Sequence, residues 1–190
     1  MLPIPDFHTR HGHIRLMVAS DASELLDYYW RNRTHLAPWE PARAPDFYEQ
    51  QGMLDRILEA EGEFHTGKQI KLGVFNDQNS MLASIDFSQI VWGPMQACFL
   101  GYSIDAQQQG KGLMQEYLQP CMDFVFQEIG LHRIQASYMT SNQRSGKLLE
   151  KLGFEKEGIA KQYLKIGGQW HDHVLTAKIS PYTHLTNSLV

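Results

Sequence analysis

The apolar residues keep two different periods along the chain, and the changes between them mark its elements. Residues 14–18 (IRLMV) read as a strand. Ser20-Asp21 follows, with Glu24 three positions after Asp21, an arrangement in which side-chain oxygens satisfy the first N–H groups of a helix. Ala22, Leu25, Leu26 and Tyr29 then recur at i, i+3, i+4 and i+7, so a helix starting near Ala22 presents one apolar face. Pro38 and Pro41 around Trp39-Glu40 force a loop. A second helix follows Pro45-Asp46, with Phe47, Leu54, Ile57 and Leu58 as its inner stripe.

In the middle of the chain the period becomes two. Residues 70–75, 81–90 and 96–104 read as strands, separated by turns at residues 76–79 and 92–94 that are short enough to make antiparallel neighbours. From Leu113 to Gln127 a helix carries Leu113, Tyr117, Leu118, Cys121, Phe124 and Val125 on one side, with a kink expected at Pro120. Residues 133–139 form a strand, Asn142 to Leu152 a short helix ended by Gly153, and 154–160 and 162–179 strands with a hairpin at Gly167-Gly168. This order predicts a mixed α/β sheet flanked by helices, and it excludes an all-parallel doubly wound sheet.

Composition narrows the class. A length of 190 residues suits one domain spanning 1–190, and 43% hydrophobic with 20% charged residues excludes a disordered chain. No apolar run approaches the roughly 20 residues that cross a bilayer, and the N-terminus lacks a basic and apolar leader, so a cytoplasmic chain without a membrane partner is expected. Cys98 and Cys121 lack metal or redox spacing and read as buried thiols. A net charge of −4 argues against nucleic acid as a direct partner. Seven acids between Glu40 and Glu63 face only Arg43 and Arg56, so that segment either meets a basic partner or is a solvated helix face.

The most informative stretch runs from Tyr102 to Met114, where a strand enters a glycine-bearing loop that opens a helix. Free N–H groups and the helix dipole make such a loop a place to hold phosphate. A Walker A loop is excluded because Gly112, not Ser or Thr, follows Lys111, and a dinucleotide fingerprint is excluded because Gln115 stands where its last glycine belongs.

Gln107-x-x-Gly110-x-Gly112 resembles the signature of the GNAT acetyltransferases, and the resemblance continues through Arg133 to Asn142 and Ser145 to Phe154. Asn32 to Pro41, Gly101-Tyr102-Ser103-Ile104, Gly153 to Gly158 and Gly168 to Val174 are most similar to the RimJ/RimL branch, and within it to the RimJ type. The resemblance covers residues 14–180. It implies a sheet of about seven mostly antiparallel strands, with one parallel pair splayed to admit acetyl-CoA. It also implies acetyl transfer to the N-terminal amine of a ribosomal protein, alanine for the RimJ type, by direct transfer with both substrates bound.

By that resemblance the backbone of Tyr102, Ser103 and Ile104 aligns the pantetheine and polarises the thioester. Gln109, Gly110, Lys111, Gly112, Leu113 and Met114 hold the pyrophosphate, with Asn142, Ser145 and Lys147 completing the coenzyme A contacts. Many relatives carry a glutamate base where this chain has Phe99 and a tyrosine acid where it has Leu149, so neither role transfers. Ser145 is the candidate acid, with helix capping as the alternative. Glu40 is the candidate base, with pairing to Arg33 or Arg43 as the alternative and Asp86 and Glu63 as substitutes. Trp39, Glu40 and Phe87 are the expected substrate contacts. His8, His11 and His13, like His171 and His173, invite a metal reading, but the latter pair, on one strand face, has no third Cys, Asp or Glu ligand fixed nearby, and no metal is expected. A monomer or homodimer is expected, and a small-amine acetyltransferase or a non-catalytic acyl-CoA sensor remain alternatives.

Overall fold

The computed structural model describes residues 2–182. The elements are β1 (Asp6–His8), β2 (His13–Leu16), α1 (Ala22–Leu36), α2 (Gln50–His65), β3 (Ile70–Phe75), β4 (Met81–Val91) and β5 (Ala97–Ile104). They continue with α3 (Leu113–Gln127), β6 (Arg133–Met139), α4 (Gln143–Lys151), β7 (Glu155–Ile166) and β8 (Gln169–Ile179). One sheet of eight strands runs β1-β2-β3-β4-β5-β6-β8-β7, antiparallel throughout except between β5 and β6.

Strand alternation gives the central sheet two unlike faces. Ile70, Leu72, Val74, Ala83, Ile85, Phe87, Cys98 and Leu100 join Tyr117, Leu118 and Cys121 of α3 in the larger core. Lys71, Ser84, Asp86, Phe99, Gly101 and Ser103 alternate with them and face α1 and α2. The smaller core, with Leu25, Tyr28, Met53, Ile57 and Phe75, lies on that side. Both cysteines are free and buried, and burial pushes the Cys98 thiol up to about 12. No helix among the described residues is long and apolar enough to cross a membrane.

Several expectations are corrected. The N-terminal segment adds β1, a three-residue strand too short to show a period, and the sheet has eight strands where about seven were expected. Asp21 does not cap α1: its buried carboxylate accepts from the Val18 N–H at 2.8 Å and pairs with Arg15, while Glu24 accepts from the Met81 N–H. Asp21 is taken by the turn that precedes α1, and Glu24 by a long-range partner. The inner face of α1 is Ala22, Leu25, Tyr28, Asn32 and Leu36, and that of α2 is Met53, Ile57, Ala60 and Phe64, leaving Leu58 exposed. β7 is one strand with an irregularity where Gln162 takes φ 47°.

The feature that positions the site is the parallel pair. Ala97, Cys98 and Phe99 pair with Arg133, Ile134 and Gln135, and there the pairing stops. β5 stays with β4 as far as Ile104, and β6 stays with β8 as far as Met139. The two strands therefore part beyond Phe99 and Gln135, leaving a gap that crosses the sheet.

Candidate active site at the splayed strands

At the end of β5 the Asp105 carboxylate accepts from the Gln107 N–H at 2.8 Å and starts a 3-10 turn over Ala106–Gln108. Gly110 and Gly112 follow with φ of +74° and +79°, and Gly112 heads α3 without a side-chain cap. A Cβ at either glycine would meet no protein atom within 4 Å, so glycine is required here by the left-handed backbone rather than by crowding. The N–H groups of Gly110, Lys111, Gly112, Leu113 and Met114 find no acceptor among the described residues. Five unpaired donors at the positive end of a helix form a receptor for an anion of phosphate type.

The loop is fastened to α1. The Asp105 carboxylate receives Arg31 Nε at 2.8 Å and Asn32 Nδ2 at 3.0 Å, and Asn32 Oδ1 accepts from the Ala106 N–H at 2.9 Å. These contacts hold the Asp105 carboxyl below the usual carboxylate range despite its burial. Sequence reading missed Arg31, Asn32 and Asp105, and the buried polar Asn32 on the apolar face of α1 is the signal that could have found them. Gln109 joins three elements through His35 of α1 at 3.0 Å and Arg144 of α4 at 2.8 Å. Lys111 Nζ donates to Gln108, and Lys147 is exposed on α4.

Ser145 is not the cap of its helix. Asn142 fills that role, accepting from the Ser145 N–H at 3.2 Å, and the Ser145 hydroxyl lies 2.8 Å from the Tyr102 hydroxyl. The pair joins β5 to α4 across the gap, on the α3 and α4 side of the sheet. Burial pushes the Tyr102 phenol up to about 12, so it keeps its proton at neutral pH. Ser103 points the other way and bonds the Tyr28 hydroxyl at 2.9 Å.

On the α1 and α2 side, Glu40 is held by Arg43 at 2.9 Å, the pairing that stood as the alternative to its role as base. Trp39 is 40% exposed, an open platform in the same loop. Phe87, expected to touch substrate, is fully buried in the larger core on the opposite face; alternation on β4 turns it toward α3, and that expectation is withdrawn. Gly101 leaves open space on the α1 and α2 side, and the buried Gln135 Nε2 at the apex of the gap has no acceptor among the described residues.

Asp6 joins two of the first three histidines, His8 and His13. Its Oδ1 lies 2.8 Å from His13 Nε2 and 3.8 Å from His8 Nε2, and the two rings stack at 4.2 Å. The trio sits on the sheet edge formed by β1 and β2, away from the splayed pair. His11 is engaged by Glu116 at 2.8 Å, and His173 is buried against the His171 carbonyl.

Comparison with known proteins agrees with this geometry. The family described as Acetyltransferase (GNAT) domain matches residues 13–155. The [ribosomal protein uS5]-alanine N-acetyltransferase of Escherichia coli (strain K12) is 46% identical over 170 residues, covering 88% of this chain and 87% of its own. The structure of a ribosomal-protein-S5-alanine acetyltransferase from Vibrio fischeri superposes with a TM-score of 0.90 at 38% identity, over 93% of this chain and 97% of that one. Mycobacterium smegmatis RimJ, solved in complex with CoA-disulfide, shares the fold with a TM-score of 0.85 at 24% identity, over 93% and 87% of the two chains.

Proposed function

The chain belongs to the GNAT acetyltransferase family, and from that premise we propose that residues 1–190 act as one domain that acetylates the N-terminal α-amine of a ribosomal protein, alanine first, from acetyl-CoA. The observation that carries this reading is the parting of β5 and β6 beyond Phe99 and Gln135, which joins the N–H-rich loop on one side to an open polar region on the other. The unpaired donors of Gly110 to Met114 suit a pyrophosphate, and the orphaned Gln135 Nε2 suits a carbonyl in the gap. Acetyl-CoA supplies an activated acyl group. The chain's residues align it, admit the amine from the opposite face and return a proton to the departing sulfur. With the two substrates on opposite faces, direct transfer needs no covalent enzyme intermediate.

Incubation with acetyl-CoA and an alanine-initiated basic peptide tests the reading, with acetylated N-terminus and free thiol in equal amounts as the expected result. Acetylation of a polyamine or amino sugar alone would replace the acceptor, and tight binding without thiol release would make the protein a sensor.

In this reading Ser145, backed by the Tyr102 hydroxyl, donates the proton to the leaving thiolate. Ser145→Ala should lower kcat by roughly ten- to a hundredfold with little change in coenzyme A affinity. A stability loss of about 1 kcal/mol for the lost Tyr102 bond, with kcat unchanged in both Ser145→Ala and Tyr102→Phe, would reduce the pair to a strut.

Within the acidic segment, Glu40 is neutralised by Arg43 and Glu63 lies 3.7 Å from Lys68, whereas Asp46, Glu49, Asp55, Glu59 and Glu61 stay exposed. A basic acceptor tail should be drawn in by this field. Its kcat/KM should fall as the Debye length shortens from about 30 Å at 0.01 M salt to about 8 Å at 0.15 M. A neutral alanine-initiated peptide should respond much less, and equal responses would make the segment an ordinary solvated face.

A further inference from the structure

Amine acetylation requires a neutral nucleophile, and the carboxylates on the acceptor side of the gap are not equivalent. Glu40 is already paired with Arg43. Among the described residues Asp86 of β4 makes no ion pair within 4 Å; Gln69 Nε2 donates to its Oδ1 at 2.7 Å, and its Oδ2 receives no hydrogen bond from them. Its register neighbours are Lys71 on β3 and Gly101 on β5. All three face α1 and α2, and Gly101 has empty space where a side chain would stand. Paired residues on neighbouring strands are about 5 Å apart, close to the reach of an aspartate side chain. An amine standing over Gly101, at the edge of the gap, is therefore within hydrogen-bonding distance of Asp86 Oδ2.

We infer that Asp86 receives the acceptor's ammonium and takes its proton, with Lys71 and Gln69 as positioning residues. This rests on the acetyltransferase reading above. The ammonium gives one proton to Asp86, which passes it to solvent. The nitrogen forms its bond to the acyl carbon as the carbon–sulfur bond breaks and then releases its second proton to solvent; the thiolate takes a proton from the Ser145 and Tyr102 pair, which solvent restores.

The surroundings are consistent with a carboxylate poised for exchange. Burial pushes the Asp86 carboxyl up, against the Gln69 bond and the Lys71 charge, and burial pulls the Lys71 ammonium down. The titratable groups that interact electrostatically with this pair are Tyr29 of α1, Arg43 of the following loop, Arg56 and Glu59 of α2, and Cys98 of β5.

The test is the pH profile of kcat/KM for wild type, Asp86→Asn and Lys71→Met, with an alanine-initiated peptide and a small primary amine as acceptors. Coenzyme A affinity and melting are measured alongside. Asp86→Asn should lose on the order of a hundredfold at pH 7 with coenzyme A affinity unchanged. The deficit should shrink as pH rises past the α-amine's own pKa near 8, because the amine then deprotonates unaided. Lys71→Met should move the acidic limb upward, since the cation that favours the ionised carboxylate is gone; this arm stands even if Asp86→Asn fails to fold. A deficit equal at every pH, no deficit, or an unmoved limb in Lys71→Met would overturn the inference. Wild-type acetylation of the small amine but not the peptide would refute the proposed acceptor and leave the Asp86 profile readable, and acetylation of neither would overturn both.

Discussion

Replacing Gly112 by valine should weaken coenzyme A binding at least tenfold in a protein that still folds. Gly112 sits at φ +79° at the head of α3, a conformation that costs a β-branched residue about 1–3 kcal/mol. Open space surrounds the position, so the added side chain meets no protein atom, and the strain is relieved by moving the backbone. That movement re-aims the N–H groups of Gly112, Leu113 and Met114, whose common direction makes the anion site. Tenfold corresponds to about 1.4 kcal/mol, well within the loss of one or two charge-assisted hydrogen bonds. Titration calorimetry with coenzyme A, with a melt to verify folding, reads the effect; a folded variant with unchanged affinity would remove the loop from the cofactor site.

Asp105→Ala should have the other large effect, on stability and on the cofactor loop together. The substitution strips partners from Arg31, Asn32 and the Gln107 N–H at once. Removing one member of a buried charged network costs roughly 3–5 kcal/mol. Arg31 is still open to water and keeps Glu24, so about 2–3 kcal/mol is the expected loss here. Because the folded carboxyl titrates below its ordinary value, its contribution is complete above about pH 4 and fades as pH falls through the depressed folded value. Urea unfolding at pH 7 and at pH 3 should therefore show a large gap between wild type and variant that narrows in acid. A gap that is pH-independent, or absent, would mean that the carboxylate's charge does not hold the loop to α1.

The central strands, the start and end of α3 and the strand β6 were legible in the sequence because their signals are local. Ile70–Phe75 and Arg133–Met139 alternate or run apolar between clear turns, and Leu113–Gln127 carries an apolar stripe. The glycine loop was legible for the same reason, since a left-handed residue at a helix start leaves glycine as its mark. The helix caps were not. Ser20-Asp21 has the composition of a cap, yet Asp21 is claimed by Arg15 and Val18, and Glu24 by Met81, 57 positions away. Asp21 closes the short turn ahead of α1 instead of capping α1, and Glu24 goes to a partner that only folding brings near.

The same distinction separates the two halves of the site. Sequence by itself determined the family, the mixed sheet and the phosphate-type loop, because each is written in contiguous residues whose backbone conformation or period dictates their identity. Tertiary structure alone decided that Phe87 is core, that Ser145 meets Tyr102 and that Asp86 stands beside Gly101 with an oxygen that receives no hydrogen bond from the described residues. Those facts depend on which face a strand turns to which helix and on where β5 and β6 part. Both are set by packing between segments far apart in the chain, and an ionisable side chain acquires its chemistry from the neighbours that packing supplies.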